Sequence, residues 1–155
     1  MHATLRQATA ADAARIASLL TDTRAAFMPY AQSARRDEEL RTWIVASLIP
    51  SGGVVVAEIQ GSVVAAMHTE RNEPISWITQ MAVDPAFVGQ GIGSLLLAHA
   101  VRTMPRPIRL YTFQANQAAR RFYERHGFIP IEFTDGLTNE ERCPDVLYER
   151  GTRDV

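Results

Sequence analysis

No lysine occurs anywhere in this chain, so all 16 strong cations are arginines. That absence rules out a lysine as catalytic base or Schiff-base former. It is read as a trace of genomic base composition, with no other consequence. Cysteine is nearly as scarce. Cys143 stands alone, so neither an internal disulfide nor a cysteine-based zinc site can form, and no metal is expected. One thiol fits a reducing compartment, and Cys143 reads as a small semi-buried side chain rather than a nucleophile. No stretch approaches the ~20 apolar residues of a membrane span, and the opening MHATLRQATAAD has no apolar run of signal-peptide length. A cytoplasmic location is therefore expected. The formal net charge is −1, which provides no bulk attraction to nucleic acid or to a membrane surface.

What is present is ordinary for a globular domain. The 155 residues are 46% hydrophobic and 21% charged, near the size and composition of one domain, so residues 1–155 are read as a single unit. Ala3 to Ala8 alternates loosely as a first strand. Thr9 suits an N-cap, and Ala13, Ile16, Ala17 and Leu20 recur at helical spacing up to Pro29. A second helix is expected from Arg36 to Ile49, with Leu40, Trp43, Ile44, Ser47 and Leu48 on one face. The run Pro50-Ser-Gly-Gly53 breaks it.

The pattern then changes period. Val54 to Gln60 and Val63 to Glu70 are rich in β-branched residues around a Gly61-Ser62 turn, and Ile75 to Val83 continues the meander after a turn at Arg71 to Pro74. A helix follows with Leu95, Leu96, His99 and Ala100 at core spacing, stopped by Pro105 and Pro107. Then come a strand (Ile108 to Phe113), a helix (Asn116 to Arg125) closed by Gly127, and strands at Phe128 to Phe133 and Asp145 to Glu149. Phe122 and Phe128 read as core. This order predicts an α+β fold: a mixed, mostly antiparallel central sheet with helices on both faces.

Two segments carry chemistry. In the first, the strand ending ITQMAV enters a loop, Val88-Gly-Gln-Gly-Ile-Gly-Ser94, that opens a helix. Such a junction gathers free backbone N–H groups at the positive end of a helix dipole and suits a phosphate, although glycines also serve plain turns. The loop lacks the Lys-Ser/Thr end of a P-loop. It also follows a meander in mid-chain rather than the first strand of a dinucleotide fold. The second segment is Asn116-Gln-Ala-Ala-Arg-Arg-Phe-Tyr-Glu-Arg-His-Gly-Phe128. Asn116 suits an N-cap. Tyr123 suits either plain ring packing or a role at a reacting group. Arg120 and Arg121 suit phosphate contacts or solvated helix positions.

Together the two segments resemble the signature segments of the GNAT N-acetyltransferases, sharply over Ile78 to Phe133 and loosely over the whole strand order. The resemblance implies an enzyme that moves the acetyl group of acetyl-CoA onto an amine by direct attack on the thioester. It implies that Met81, Ala82 and Val83 lie where the fourth strand diverges from its neighbour and hydrogen-bond the pantetheine arm. Amides of Val88, Gly89, Gln90, Gly91, Ile92, Gly93 and Ser94 would cradle the pyrophosphate. Asn116 would contact the arm near the thioester, and Tyr123 would protonate the leaving thiolate. At Val88 this chain departs from the family preference for Arg or Gln. Backbone amides do most of the holding, so the departure bears on cofactor affinity rather than on binding itself.

The general base is not fixed by the resemblance. Glu70 is the first candidate, followed by His68 on the same strand and by Thr79 or Gln80 on the next. The acidic run from Asp135 to Asp145 flanks the acceptor side in related folds, with Glu73, Trp77 and Phe27 as further lining residues. It favours a small cationic amine as partner, although a solvated acidic loop has the same composition. Acetylation of a protein N-terminus or lysine, or a non-catalytic acyl-CoA sensor, is the alternative. Dimers are common in the family, which leaves a homodimer open.

Overall fold

A computed structural model describes residues 2–31 and 37–151. The chain begins with β1 (Thr4–Gln7), a 3-10 turn at Ala10–Asp12, and α1 (Ala13–Phe27). Thr9 starts this segment within a capping box shared with Asp12, as its position before the helical repeat suggests. The next helix, α2 (Asp37–Trp43), passes into a π-helical turn at Ile44–Leu48. Arg36, the expected start of that helix, lies outside the described residues. The Ile49 amide reaches back to the Ile44 carbonyl at 2.9 Å. The wider turn leaves Ile44 and Leu48 buried but puts Ser47 in solvent, so Ser47 does not share the apolar face.

β2 (Val54–Ile59), β3 (Ser62–Asn72) and β4 (Ile75–Val83) form the expected antiparallel meander. The first turn is Gln60-Gly61, one residue earlier than expected. Both residues have positive φ (51° and 79°), the mirror-image turn that matches the twist of a hairpin. A 3-10 turn at Pro85–Phe87 and the glycine loop lead to α3 (Ile92–Thr103). Its buried residues are Ile92, Leu96, Leu97 and Ala100, while Leu95 and His99 are only half-buried; the apolar face is rotated by one residue from the expected one. β5 (Ile108–Phe113), α4 (Gln117–Arg125), β6 (Ile129–Phe133) and β7 (Asp145–Arg150) complete the order.

The described strands form one seven-stranded sheet in the order β1-β2-β3-β4-β5-β7-β6. Every pairing is antiparallel except β4 with β5. One core lies between the sheet and α3, centred on Leu96, Leu97, Ile108, Leu110, Phe128 and Tyr148, with Phe122 and Tyr123 of α4 packed against it. A second core lies on the opposite face, where Ile16, Leu19, Ile44 and Leu48 cover Val54, Val56 and Ala66. Strand alternation sends neighbouring side chains to opposite faces, which is why one meander feeds both cores. The sheet thus carries helices on both faces, as the element order predicts.

The β6–β7 loop folds back on itself at Gly136, where φ is +78° and an added Cβ would stand 2.3 Å from the Cys143 carbonyl carbon. Gly136→Ala therefore meets both a left-handed backbone and a backbone wall. It is expected to lower stability by about 2 kcal/mol or more. Urea unfolding of the two proteins measures this, and an unchanged midpoint would contradict the packing described.

Candidate active site

β4 and β5 run parallel but pair at only two positions, Ser76 with Ile108 and Trp77 with Arg109. Beyond these the strands part. The divergence begins at Ile78, three residues before Met81. It opens a cleft of about 1040 Å³ whose walls include Ile78, Met81 and Val83 on one side and Leu110, Thr112 and Phe113 on the other. Where strands separate, their facing N–H and C=O groups lose a ladder partner and require water or a ligand.

One end of the cleft is the glycine loop. Asp84 accepts from the Ala86 amide (2.9 Å) and from Arg15 (2.6 Å), pinning the turn after β4. Gly89 and Gly91 have φ of 85° and 81° with nothing within 4 Å of an added Cβ, so the backbone conformation, not space, calls for glycine there. Gly93 differs: an added Cβ would stand 3.3 Å from the Phe122 ring, and its absence lets α4 close against the start of α3. The first amides of α3, at Ile92, Gly93 and Ser94, have no carbonyl one turn back to bond within the helix. Val88, Gly89, Gly91, Ile92, Gly93 and Ser94 all line the cleft. Gln90 and Ala82 do not line it. Ala82 is buried in the opposite core because it alternates with Met81 and Val83.

α4 supplies the second wall. Asn116 caps it, its Oδ1 accepting from the Ala119 amide at 3.2 Å, and also lines the cleft. Tyr123 lines the cleft with its hydroxyl 4.0 Å from the Met81 sulfur. Burial pushes its phenol up to about 12, so it is fully protonated at neutral pH. Arg121 and Arg125 line the cleft one helical turn apart. Arg125 was missed in the sequence, although i, i+4 spacing from Arg121 marks it. Arg120 turns the other way, bonding Tyr148 Oη at 3.1 Å and lying 5.3 Å over the Phe133 ring.

The far end carries carboxylates. Glu132, Glu141 and Asp145 line it, with Arg24, Phe27, Met28 and Tyr111. Arg24 bridges α1 to the β6–β7 loop through Glu141 at 3.2 Å; its partner lies 117 residues on, so no local spacing signals it. Asp145 is buried and accepts from Thr134 Oγ1 and from Asn139 Nδ2 (3.1 Å). Burial, with Glu141 and Asp145 nearby, raises the Cys143 thiol, which keeps it protonated and a poor nucleophile.

Glu70 and Glu73 are exposed and stand outside the cleft lining. Glu70 pairs across the ladder with Trp77, and Trp77 stacks on Tyr111 at 5.9 Å instead of lining the cleft. No described cluster of histidine, cysteine or carboxylates has the arrangement to hold a metal, and no described helix is long and apolar enough to cross a membrane.

Residues 16–128, well over half of the chain, match the sequence profile described as the acetyltransferase (GNAT) family. No curated protein matches significantly. Among solved structures, Ard1 from Thermoplasma volcanium superposes with a TM-score of 0.79 at 18% identity over 99% of both chains. The PaiA N-acetyltransferase from Thermoplasma acidophilum, solved in complex with coenzyme A, gives 0.77 at 16% identity over 97% of this chain and 99% of that one. A GNAT-family acetyltransferase from Bacillus cereus gives 0.77 at 17% identity over 99% of both. The split strands, the glycine loop at a helix start and the matched profile agree: this chain belongs to the GNAT family of acetyltransferases.

Proposed function

We propose that the chain transfers the acetyl group of acetyl-CoA to the amine of a small cationic acceptor. The observation that carries this is the cleft between β4 and β5, which has a cationic, amide-rich end and a carboxylate-bearing end. At the first, the open amides of α3 and the guanidinium groups of Arg121 and Arg125 suit the CoA phosphates. The facing backbone edges of Met81 and Val83 suit the pantetheine amides, as an added strand would. Val88 is half exposed (52%) at the loop mouth and adds no charge, so phosphate holding there falls to the backbone and the two arginines.

In the reaction the amine nitrogen attacks the thioester carbonyl, a tetrahedral oxyanion forms, and the C–S bond breaks. A backbone N–H near Met81 to Val83 is suited to the oxyanion. Tyr123, beside Met81 and protonated, gives its proton to the departing thiolate. The far end selects the acceptor. Glu132 is exposed in the lining, while Glu141 and Asp145 are already engaged, so Glu132 is the carboxylate open to an incoming ammonium.

Free-thiol release from acetyl-CoA with a panel of amines tests this directly. Amine-dependent release is expected, and Tyr123→Phe should lower kcat by about 10²-fold while leaving CoA binding intact. A Tyr123→Phe enzyme with wild-type kcat would remove the proton-donor role.

Charge selection has its own test. Glu132→Gln should raise KM for a dicationic amine by roughly fivefold, the equivalent of about 1 kcal/mol for a partly exposed ion pair, and leave a neutral amine unaffected. Equal turnover of polyamine-like and neutral amines by the wild type would sink the cationic-acceptor reading.

A further inference from the structure

The base that takes the proton of the attacking amine has no occupant among the residues placed so far. Glu70, the first sequence candidate, is exposed outside the cleft. Its neighbour on β3, His68, is buried (5% exposed) yet connected. His68 Nδ1 is hydrogen-bonded to Thr79 Oγ1, and its Nε2 lies 3.0 Å from Ser51 Oγ.

Thr79 occupies an unusual position. In the β3–β4 ladder His68 pairs with Gln80 and Thr69 with Ile78, so Thr79 is the extra residue of a bulge. A bulge re-aims the side chain it carries. This one lies two residues beyond Trp77, the last β4 residue paired with β5, at the throat of the split. Thr79 is exposed and lines the cleft while its hydroxyl holds the buried imidazole.

The direction of these hydrogen bonds follows from Ser51. Its hydroxyl donates its one proton to the Leu48 carbonyl at 2.5 Å. Toward His68 it therefore accepts, which requires the proton of the neutral imidazole on Nε2. Nδ1 is left with a lone pair, so the Thr79 hydroxyl must donate to it. That leaves the lone pairs of Thr79 Oγ1 to face the cleft.

We propose that Thr79 and His68 form the proton relay of the acetyl transfer, with Thr79 meeting the amine, or a water bound to it, and His68 taking the proton through Thr79. As the C–N bond forms, a proton of the attacking nitrogen passes to Thr79 Oγ1. The Thr79 hydroxyl proton passes to His68 Nδ1, giving an imidazolium that donates to both Thr79 and Ser51. The C–S bond breaks and the thiolate takes its proton from Tyr123. After product leaves, the imidazolium returns its proton along the same path to water, and the Tyr123 phenolate recovers one from water. The acceptor's ammonium gives its first proton to solvent before it attacks as a neutral amine, so the net reaction releases one proton per ammonium acetylated.

This relay rests on the acetyl-transfer reading above and supplies the base that reading lacks. Burial lowers the imidazole from its ordinary value, and Glu70 opposes that shift. Among the described residues Glu70 is the charged group that acts on it; Ser51 on the preceding loop and Thr79 on β4 do not titrate at neutral pH. The ring is therefore neutral, and able to accept, at neutral pH. Glu70 favours the imidazolium from outside the cleft without touching the reacting atoms.

The pH profile of kcat/KM, read with one amine on four proteins, tests the relay. In the wild type the rate falls as acid protonates His68, with a midpoint below the usual imidazole value near ~6.5. Thr79→Val should lower kcat by about 10²-fold or more and abolish that acid limb while CoA still binds. Thr79→Ser, which keeps the hydroxyl, should restore most of the rate and the limb. Glu70→Gln, which removes the charge that favours the imidazolium, should move the limb to lower pH. An active Thr79→Val enzyme that retains both kcat and the limb overturns the relay but leaves acetyl transfer standing. A wild type that releases no thiol with any amine overturns the functional reading instead. A readout needing no variant is the ¹⁵N spectrum of histidine-labelled wild-type protein. It should show His68 as the Nε2–H tautomer, titrating at the midpoint of the acid limb. An Nδ1–H ring overturns the relay whatever the variants do.

Discussion

The structure turns on a strand pair that fails. β4 and β5 hold together for two residues each and then part. On their outer edges β4 remains paired with β3 and β5 with β7, so the sheet stays whole around the gap. Inside the gap two edges of backbone N–H and C=O face each other without a ladder, in a place where polar groups must find a partner. Everything at the site is arranged around that opening. The glycine loop and the start of α3 close one end, Asn116 and Tyr123 of α4 form a wall, and the β6–β7 loop with Arg24 frames the other end.

The same split explains why the candidate base is a buried histidine. A strand leaving its partner must change direction, and the bulge at Thr79 coincides with that change. It presents one hydroxyl both to the cleft and to the buried imidazole of His68. The π-helical turn contributes as well, since it ends near Leu48 and Ser51, the groups that fix the imidazole tautomer. Charge is sorted along the cleft in the same way: Arg121 and Arg125 lie on α4, and Glu132, Glu141 and Asp145 lie on or beside the last two strands.

Much of this was legible in the sequence. β4 and β5 have the bounds expected, because turn residues flank β4 and Pro105 and Pro107 precede β5. The glycine loop and α4 were readable because positive φ calls for glycine at Gly91 and Gly127 and the cap calls for a side-chain acceptor at Asn116. What was not legible has physical causes. The π-helical turn that exposes Ser47 leaves the hydrophobic pattern of a plain helix almost unchanged. The one-residue shift of the α3 face reflects three consecutive leucines, which fit more than one face. Glu70 is a fair candidate in sequence because it is a carboxylate at a strand end next to a motif, and the structure places it outside the cleft lining. Only the bulge, which no local pattern signals, shows that Thr79 rather than Glu70 meets the cleft. Arg24 with Glu141, and His68 with Ser51, are contacts between distant segments and have no signature in spacing.

The central claim is that the gap between β4 and β5 receives the arm of coenzyme A as a substitute strand. Amide hydrogen exchange along β4 and the glycine loop, with and without coenzyme A, tests it most directly. The account predicts that coenzyme A slows exchange at amides of β4 between Ile78 and Val83, and at those from Gly89 to Ser94, while β1 and β2 are unaffected. Coenzyme A binding that leaves all of those amides unprotected would contradict it.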